Sequence, residues 1–145
     1  MSVYPNILMI TLQQFFRIML VDDEKDILRV VRRGLESHET NHTDITFTVD
    51  TYQDSQLALQ SFQNHADNYY DLILSDLRMK MSGFDFYMNI RERNPIMKFA
   101  FMTAYDNIDK RQFANYLLEL DPTSFIFKPI TVAKLIPKLM HIIYN

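Results

Sequence analysis

Short apolar runs alternate along this chain with segments that have the apolar spacing of a helix. The runs are RIMLV, ITFTV, DLILS, MKFAFM and SFIF, at residues 17–21, 45–49, 71–75, 97–102 and 124–127. Runs of this length that alternate with helical segments are typical of a parallel sheet with helices on both faces. The chain is therefore predicted to form an α/β domain built on a doubly wound, five-stranded parallel sheet.

The helical segments carry apolar residues at spacings of three and four, which places them on one face of a helix. The expected buried faces are Ile27, Val30, Val31 and Leu35; Leu57, Leu59 and Phe62; Phe84, Met88 and Ile90; Phe113, Tyr116, Leu117 and Leu120; and Val132, Leu135, Ile136, Leu139, Met140 and Ile143.

Polar residues follow the apolar runs at the positions where such a sheet builds its site. In doubly wound sheets, ligands bind beyond the carboxyl ends of the strands, where the strand order reverses. The residues at these ends are Asp22 and Asp23, Asp76, Thr103 and Lys128. Each alone has an ordinary explanation, such as a helix cap, a turn or a solvated charge. Their common position at one edge of the sheet favours a site.

The charges of this set indicate a divalent cation. Three carboxylates and the ammonium of Lys128 leave an excess of two negative charges, and oxygen ligands favour Mg²⁺, with Mn²⁺ as a possible substitute, over Zn²⁺. A carboxylate beside such an ion, with an ammonium and a hydroxyl near it, suits phosphoryl transfer to oxygen. Asp76, at the end of the apolar run DLILS, would then become an acyl phosphate.

Four short motifs occur in the order and approximate spacing of a known family. They are VDDE at 21–24, LSDLRM at 74–79, FMTA at 101–104 and FKP at 127–129. With them the chain resembles a response-regulator receiver domain, the phospho-acceptor module of two-component signalling. The resemblance covers residues 16–145 and implies the flavodoxin-like (βα)5 fold. Residues 1–15 are then an N-terminal extension, either an additional packed element or the result of a start placed too early.

The resemblance also implies roles for single residues. Asp22 and Asp23 correspond to the metal-binding acid pair, and Asp76 to the residue that accepts phosphate, which is itself a metal ligand. The backbone carbonyl of Arg78 corresponds to a further metal ligand. One departure lies in this loop, where Lys80 stands in place of the family's usual proline.

Two other positions complete the implied machinery. Thr103 and Lys128 correspond to the residues that contact the phosphoryl group. Phe125, three residues before the lysine, corresponds to the switch aromatic, which turns inward when the threonine engages phosphate.

The implied function is that of a signalling module and not of an enzyme with a separate substrate. The chain ends one helix after Lys128, so it resembles the stand-alone receivers, such as the chemotaxis regulator. The expected partners are a histidine kinase or phosphotransfer protein and a downstream protein target. One alternative is a receiver-like scaffold that acts without phosphorylation. A second, a phosphatase of the haloacid dehalogenase type, is disfavoured because Arg78 stands where that family has a second acid.

Composition limits the remaining possibilities. The chain has no cysteine, which excludes thiolate chemistry and disulfides, and its net charge of -3 gives no general attraction for nucleic acid or anionic membranes. No apolar segment approaches the length of a membrane span. A cytoplasmic protein is expected.

Overall fold

The computed structural model describes residues 13–37, 44–104, 106, 109–118 and 120–145, and for residues 112, 113, 116 and 117 it describes the backbone only. The elements in chain order are β1 (Gln14–Val21), α1 (Lys25–Glu36), β2 (Ile45–Tyr52), α2 (Ser55–Gln63), β3 (Leu72–Ser75), α3 (Gly83–Arg93), β4 (Phe99–Ala104), α4 (Lys110–Leu117), a short 3₁₀ helix (Pro122–Ser124), β5 (Phe125–Lys128) and α5 (Val132–Tyr144). Most of the predicted N-terminal extension lies outside the described residues, and Gln14 and Phe15 already belong to β1.

The five strands form one parallel sheet in the order β2-β1-β3-β4-β5, which confirms the predicted fold class. From β1 the chain adds β2 on one side and then returns to add β3 on the other. The strand order therefore reverses between β1 and β3, and the carboxyl ends of these two strands flank the crevice where ligands bind in such sheets.

Alternating side chains of the central strands fill two cores, one on each face of the sheet. Ile18 and Leu20 face α1 and α5, whereas Met19 and Val21 face α2 and α3. All four residues of β3 are buried, as expected for a strand covered on both faces. None of the helices formed by the described residues has the length and apolar character that a membrane crossing requires.

In α1, α2 and α3 most of the predicted face is buried, but each helix exposes one residue that was expected inside. Val30, Leu57 and Met88 were expected inside but are 62%, 55% and 41% exposed. Leu28 in α1 and Phe86 in α3 are buried instead. These helices carry apolar residues at neighbouring positions, so periodicity allowed two overlapping faces, and packing on the sheet rotated the buried face slightly from the predicted one.

In α4, the side chains of Phe113, Tyr116 and Leu117 lie outside the described part of the chain. Leu120, expected on the same face, is buried but lies beyond the end of the helix.

Candidate functional site

Asp22 and Asp76 lie side by side because the strands that precede them are hydrogen-bonded neighbours. The backbone amide of Asp76 donates to the carbonyl of Val21 at 2.9 Å, and that of Asp22 donates to the carbonyl of Tyr52 at 3.0 Å. Both acids thus extend the sheet by one residue at its carboxyl edge. This is the edge of the sheet that the sequence predicted for the site.

Helix capping does not account for the acids after β1. The cap residue of α1 is Glu24, and its side chain makes no capping hydrogen bond. Asp22 instead accepts the backbone N–H of Glu24 through Oδ1, at 2.9 Å. This turn leaves the second carboxylate oxygen of Asp22 directed into the crevice.

Lys128 bridges the two buried carboxylates. Its Nζ donates to Oδ2 of Asp22 at 2.6 Å and to Oδ2 of Asp76 at 3.1 Å. The side chains of Asp22 and Asp76 are only 1% and 3% exposed, and that of Lys128 is 12% exposed. Two desolvated negative charges therefore share one positive charge, which is a costly arrangement in a protein interior.

The pKa values of this cluster show the imbalance. Burial raises the pKa of Asp22 above its usual value, and the nearby charge of Asp76 adds to the increase, although the hydrogen bond from Lys128 opposes it. Burial alone would lower the pKa of Lys128, but the hydrogen bond to Asp22 and the charges of Asp76 and Asp22 outweigh it, so the pKa is raised. The lysine is held charged, and the site still favours additional positive charge.

Carboxylate oxygens from four residues converge at this point. Asp22, Asp23, Glu24 and Asp76 each offer one oxygen, and these oxygens all lie within 4.8 Å of one another. Oxygens on opposite sides of a Mg²⁺ ion lie about 4.2 Å apart, so small side-chain adjustments would allow this set to hold the ion. Oxygen donors only, an excess of negative charge and this spacing all fit Mg²⁺ or Mn²⁺.

Glu24 was not among the predicted ligands. Its position directly after Asp23 in the VDDE motif was the signal that could have pointed to it. The structure brings it into the carboxylate cluster with the predicted pair.

The loop after β3 holds the carboxylate of Asp76 from its other side. The backbone N–H of Arg78 donates to Oδ1 of Asp76 at 3.3 Å. Gly83 lies so close to the same backbone that a Cβ atom there would come within 2.2 Å of the carbonyl oxygen of Asp76 and 2.8 Å of the Cα of Leu77. Any larger residue would force the start of α3 away from the loop. The role of the Arg78 carbonyl as a metal ligand stays a prediction.

Thr103 contributes a buried hydroxyl at this edge of the sheet. It lies in β4 opposite Phe127 and is fully buried, and no hydrogen-bond partner for its Oγ1 is found among the described residues. In the register of the sheet, Phe101 pairs with Ser75, so Thr103 lies two residues farther toward the carboxyl edge that carries Asp76. Leaving such a hydroxyl unpaired costs about 1–3 kcal/mol, so its presence here points to a role other than stabilising the fold.

Phe125 occupies an interior position at the start of β5. Its side chain is 6% exposed, and its ring stacks on that of Phe101 with centroids 5.4 Å apart. The structure therefore describes the inward position of this aromatic ring. That the ring turns inward when Thr103 engages phosphate stays a prediction.

Comparisons with known proteins agree with this geometry. Residues 18–140 match the family model described as the response regulator receiver domain. A crystal structure of a response regulator receiver domain protein from Clostridium thermocellum is 25% identical, with a TM-score of 0.71 over 89% of this chain and 94% of that one. Comparison with curated protein sequences finds no match.

Two further solved structures share the fold. A response regulator receiver protein from Sinorhizobium medicae is 19% identical, with a TM-score of 0.72, and the alignment covers 91% of this chain and 97% of that one. A chain from the CheX-CheY-BeF3-Mg+2 complex of Borrelia burgdorferi is 24% identical, with a TM-score of 0.71, and 88% of each chain is covered.

Proposed function

Because this chain belongs to the response regulator receiver domain family of two-component signalling, we propose that it accepts a phosphoryl group on Asp76 and thereby changes its affinity for another protein. The observation that carries the proposal is the pair of buried carboxylates of Asp22 and Asp76, bridged by the ammonium of Lys128 at the switch point of the sheet.

In the proposed reaction, a carboxylate oxygen of Asp76 attacks the phosphorus atom of a phosphorylated histidine. The new oxygen–phosphorus bond forms as the phosphorus–nitrogen bond breaks, and the imidazole leaves with the bonding pair and takes up a proton. A small donor such as acetyl phosphate supplies the same group, with acetate as the leaving group. The product in both cases is an acyl phosphate on Asp76.

The chain's own residues position and stabilise the group in transfer. Lys128, which now contacts Asp76, is placed to pair with an oxygen of the phosphoryl group as negative charge develops on it. Asp22, Asp23, Asp76 and the carbonyl of Arg78 are the proposed ligands of Mg²⁺, with Glu24 available in the same cluster. When bound, the ion neutralises charge on the phosphoryl oxygens and on the carboxylates.

The same transfer would supply a hydrogen-bond acceptor for the hydroxyl of Thr103. A phosphoryl oxygen on Asp76 would accept the hydrogen bond of the Thr103 hydroxyl, which has no partner among the described residues. Movement of Thr103 toward the phosphoryl group would stabilise the inward position of Phe125 and alter the surface near α4, β5 and α5. We propose that this surface change selects the downstream protein target and that the protein acts in the cytoplasm.

The direct test is Mg²⁺-dependent phosphorylation by acetyl phosphate, read by intact mass. Wild type is compared with Asp76→Asn, which removes the nucleophile at nearly constant size, and with Asp26→Asn as the matched control. Asp26 lies on α1 near the site, but its exposed side chain pairs with Arg29 and not with the cluster. We expect wild type and the control to gain one phosphoryl group and Asp76→Asn to gain none.

The alternative is a receiver-like scaffold that acts without phosphorylation. It predicts a folded wild-type protein that gains no phosphoryl group with Mg²⁺ or Mn²⁺ and does not bind the phosphoryl analogue BeF₃⁻. That pair of results would exclude the proposed transfer and leave the scaffold.

A further inference from the structure

The loop between β3 and α3, residues 77–82, has no regular secondary structure, yet it helps to hold the nucleophile. Its Arg78 N–H contacts the carboxylate of Asp76 at 3.3 Å, and the N–H of Gly83 closes the loop on the carbonyl of Leu77 at 2.8 Å. The position of the loop backbone therefore affects the orientation of the Asp76 carboxylate. The loop, LRMKMS, contains no proline, and its residue 80 is lysine. No pyrrolidine ring therefore fixes a φ angle within it.

Ser55, the first residue of α2, ties this loop to a different element. Its Oγ donates to the carbonyl oxygen of Met81 at 3.0 Å, across 26 residues of sequence, and its side chain is almost fully buried at 1% exposure. Met81 itself is partly buried against the core on this face of the sheet. The contact joins the far end of the loop to a helix that packs on the sheet.

Helix capping does not explain this serine. Asp54 is the cap of α2, and its Oδ1 accepts the N–H of Gln56 at 2.6 Å and that of Leu57 at 3.4 Å. The hydroxyl of Ser55 is therefore not needed to start the helix. A buried hydroxyl directed at the backbone of a loop without regular structure restrains that loop.

The start of α3 restrains the loop next to this contact. Gly83 packs directly on the backbone of Asp76 and Leu77, so a shift at Met81 would reach the nucleophile through Ser82 and Gly83. The Ser82 hydroxyl accepts the N–H of Asp85 and caps α3, which fixes that end of the loop to the helix. The hydrogen bond of Ser55 thus acts on a short, tightly packed segment.

We propose that Ser55 is a positioning residue for Asp76, which it serves by holding the Met81 carbonyl and with it the loop that orients the acceptor carboxylate. The inference rests on the proposed function only for its effect on phosphorylation. The restraint on the loop is a separate property that can be measured in the metal-free and unphosphorylated protein.

The test compares Ser55→Ala with Ser61→Ala. Ser61 lies on the same helix, but its hydroxyl contacts Tyr52 and Tyr70 and not the loop, so it is a matched control. We expect Ser55→Ala to speed hydrogen exchange at the amides of Arg78 and Gly83 about tenfold, the effect of losing one hydrogen bond. We expect it also to weaken binding of Mg²⁺ alone and to slow phosphate incorporation from acetyl phosphate several-fold, whereas Ser61→Ala changes none of the three.

A second variant, Ser55→Thr, retains the donor and should restore the loop protection that Ser55→Ala loses. Unchanged loop exchange in Ser55→Ala would overturn the proposal. So would faster exchange spread evenly over the whole protein, because that pattern belongs to a residue that merely stabilises the fold. If wild type gains no phosphoryl group, the proposed function fails, while loop exchange and Mg²⁺ affinity still decide the role of Ser55.

Discussion

Two polar clusters built from similar residue types lie next to each other in this fold and balance their charges differently. In the site cluster, Asp22 and Asp76 share Lys128, and the hydroxyl of Thr103 has no described partner. The second cluster, which we call the tyrosine network, consists of Arg17, Asp50, Tyr52, Ser61 and Tyr70. The carbonyl of Tyr52, which accepts the amide of Asp22, joins the two.

In the tyrosine network every charge and hydroxyl is paired. One oxygen of Asp50 pairs with Arg17 at 3.4 Å, and the other accepts the hydroxyl of Tyr70 at 2.8 Å. Tyr52 donates to Ser61 at 2.6 Å, and Ser61 lies 3.4 Å from the hydroxyl of Tyr70. One acid meets one base, and the hydroxyls form a chain that ends on the carboxylate.

The difference separates a structural network from a site. A structural network satisfies its groups in the folded protein, because unpaired buried polar groups reduce stability. The site cluster retains excess negative charge and a hydroxyl that has no partner in the described part of the chain, and a cation and a phosphoryl oxygen are the groups that would correct both. Such imbalance is a physical sign of function that residue types alone do not give.

The largest expected effect separates the two basic residues. We expect Lys128→Met to slow phosphate incorporation from acetyl phosphate about 100-fold, because one preorganised charge on a transferring group contributes roughly that factor. Arg17→Met removes a cation of similar size from the tyrosine network and should leave the rate within about threefold of wild type, since it touches no reacting atom. Similar slowing by both variants, measured by intact mass over time, would mean that the contrast between the clusters has no bearing on chemistry.

The next effect concerns the sign of a change in stability. Thr103→Val removes a buried hydroxyl with no partner among the described residues, at nearly constant shape, so we expect the free energy of unfolding of the metal-free protein to rise by about 1 kcal/mol. Ser61→Ala removes a paired hydroxyl and should lower it by about 1 kcal/mol. Urea unfolding of both variants at neutral pH measures the difference. A loss of stability in Thr103→Val would show that its hydroxyl has a partner in solution.

Much of the site could be predicted because it depends on local order in the sequence. Asp22, Asp76 and Lys128 each follow an apolar run directly, and parallel strands bring their carboxyl ends to one edge. The meeting of these residues therefore required only the fold class and not the details of packing. The same reasoning could not show that Thr103 lacks a partner, because that depends on the positions of individual atoms.

The tyrosine network and Ser55 could not be predicted for a related reason. Arg17 and Asp50 are 33 residues apart, and they meet only because strand register places them near each other on one face of the sheet. Ser55 reaches Met81 through the packing of α2 against an irregular loop, for which the sequence carries no periodic signal. The exposure of Val30 could not be predicted for the same reason, since tertiary packing decides between the two overlapping apolar stripes of α1.

The smallest expected effect tests whether the tyrosine network excludes water, through the pH dependence of the protein's stability. Burial raises the pKa of Tyr70 well above its usual value of 10.0, and the hydrogen bonds with Tyr52 and Asp50 and the negative charge of Asp50 add to the increase, against the hydrogen bond with Ser61. Above pH 10 the tyrosine of the unfolded chain loses its proton while the folded one retains it, so stability that is present below pH 10 falls as the pH rises. For a phenol that stays protonated when folded, the loss reaches about 0.8 kcal/mol by pH 10.5.

Tyr70→Phe should lack this part of the decline, although Lys128, whose pKa is also raised, contributes equally in both proteins. Parallel alkaline declines of wild type and Tyr70→Phe in urea unfolding would mean that Tyr70 ionises as readily in the folded protein as in the unfolded chain, and that the network is open to water.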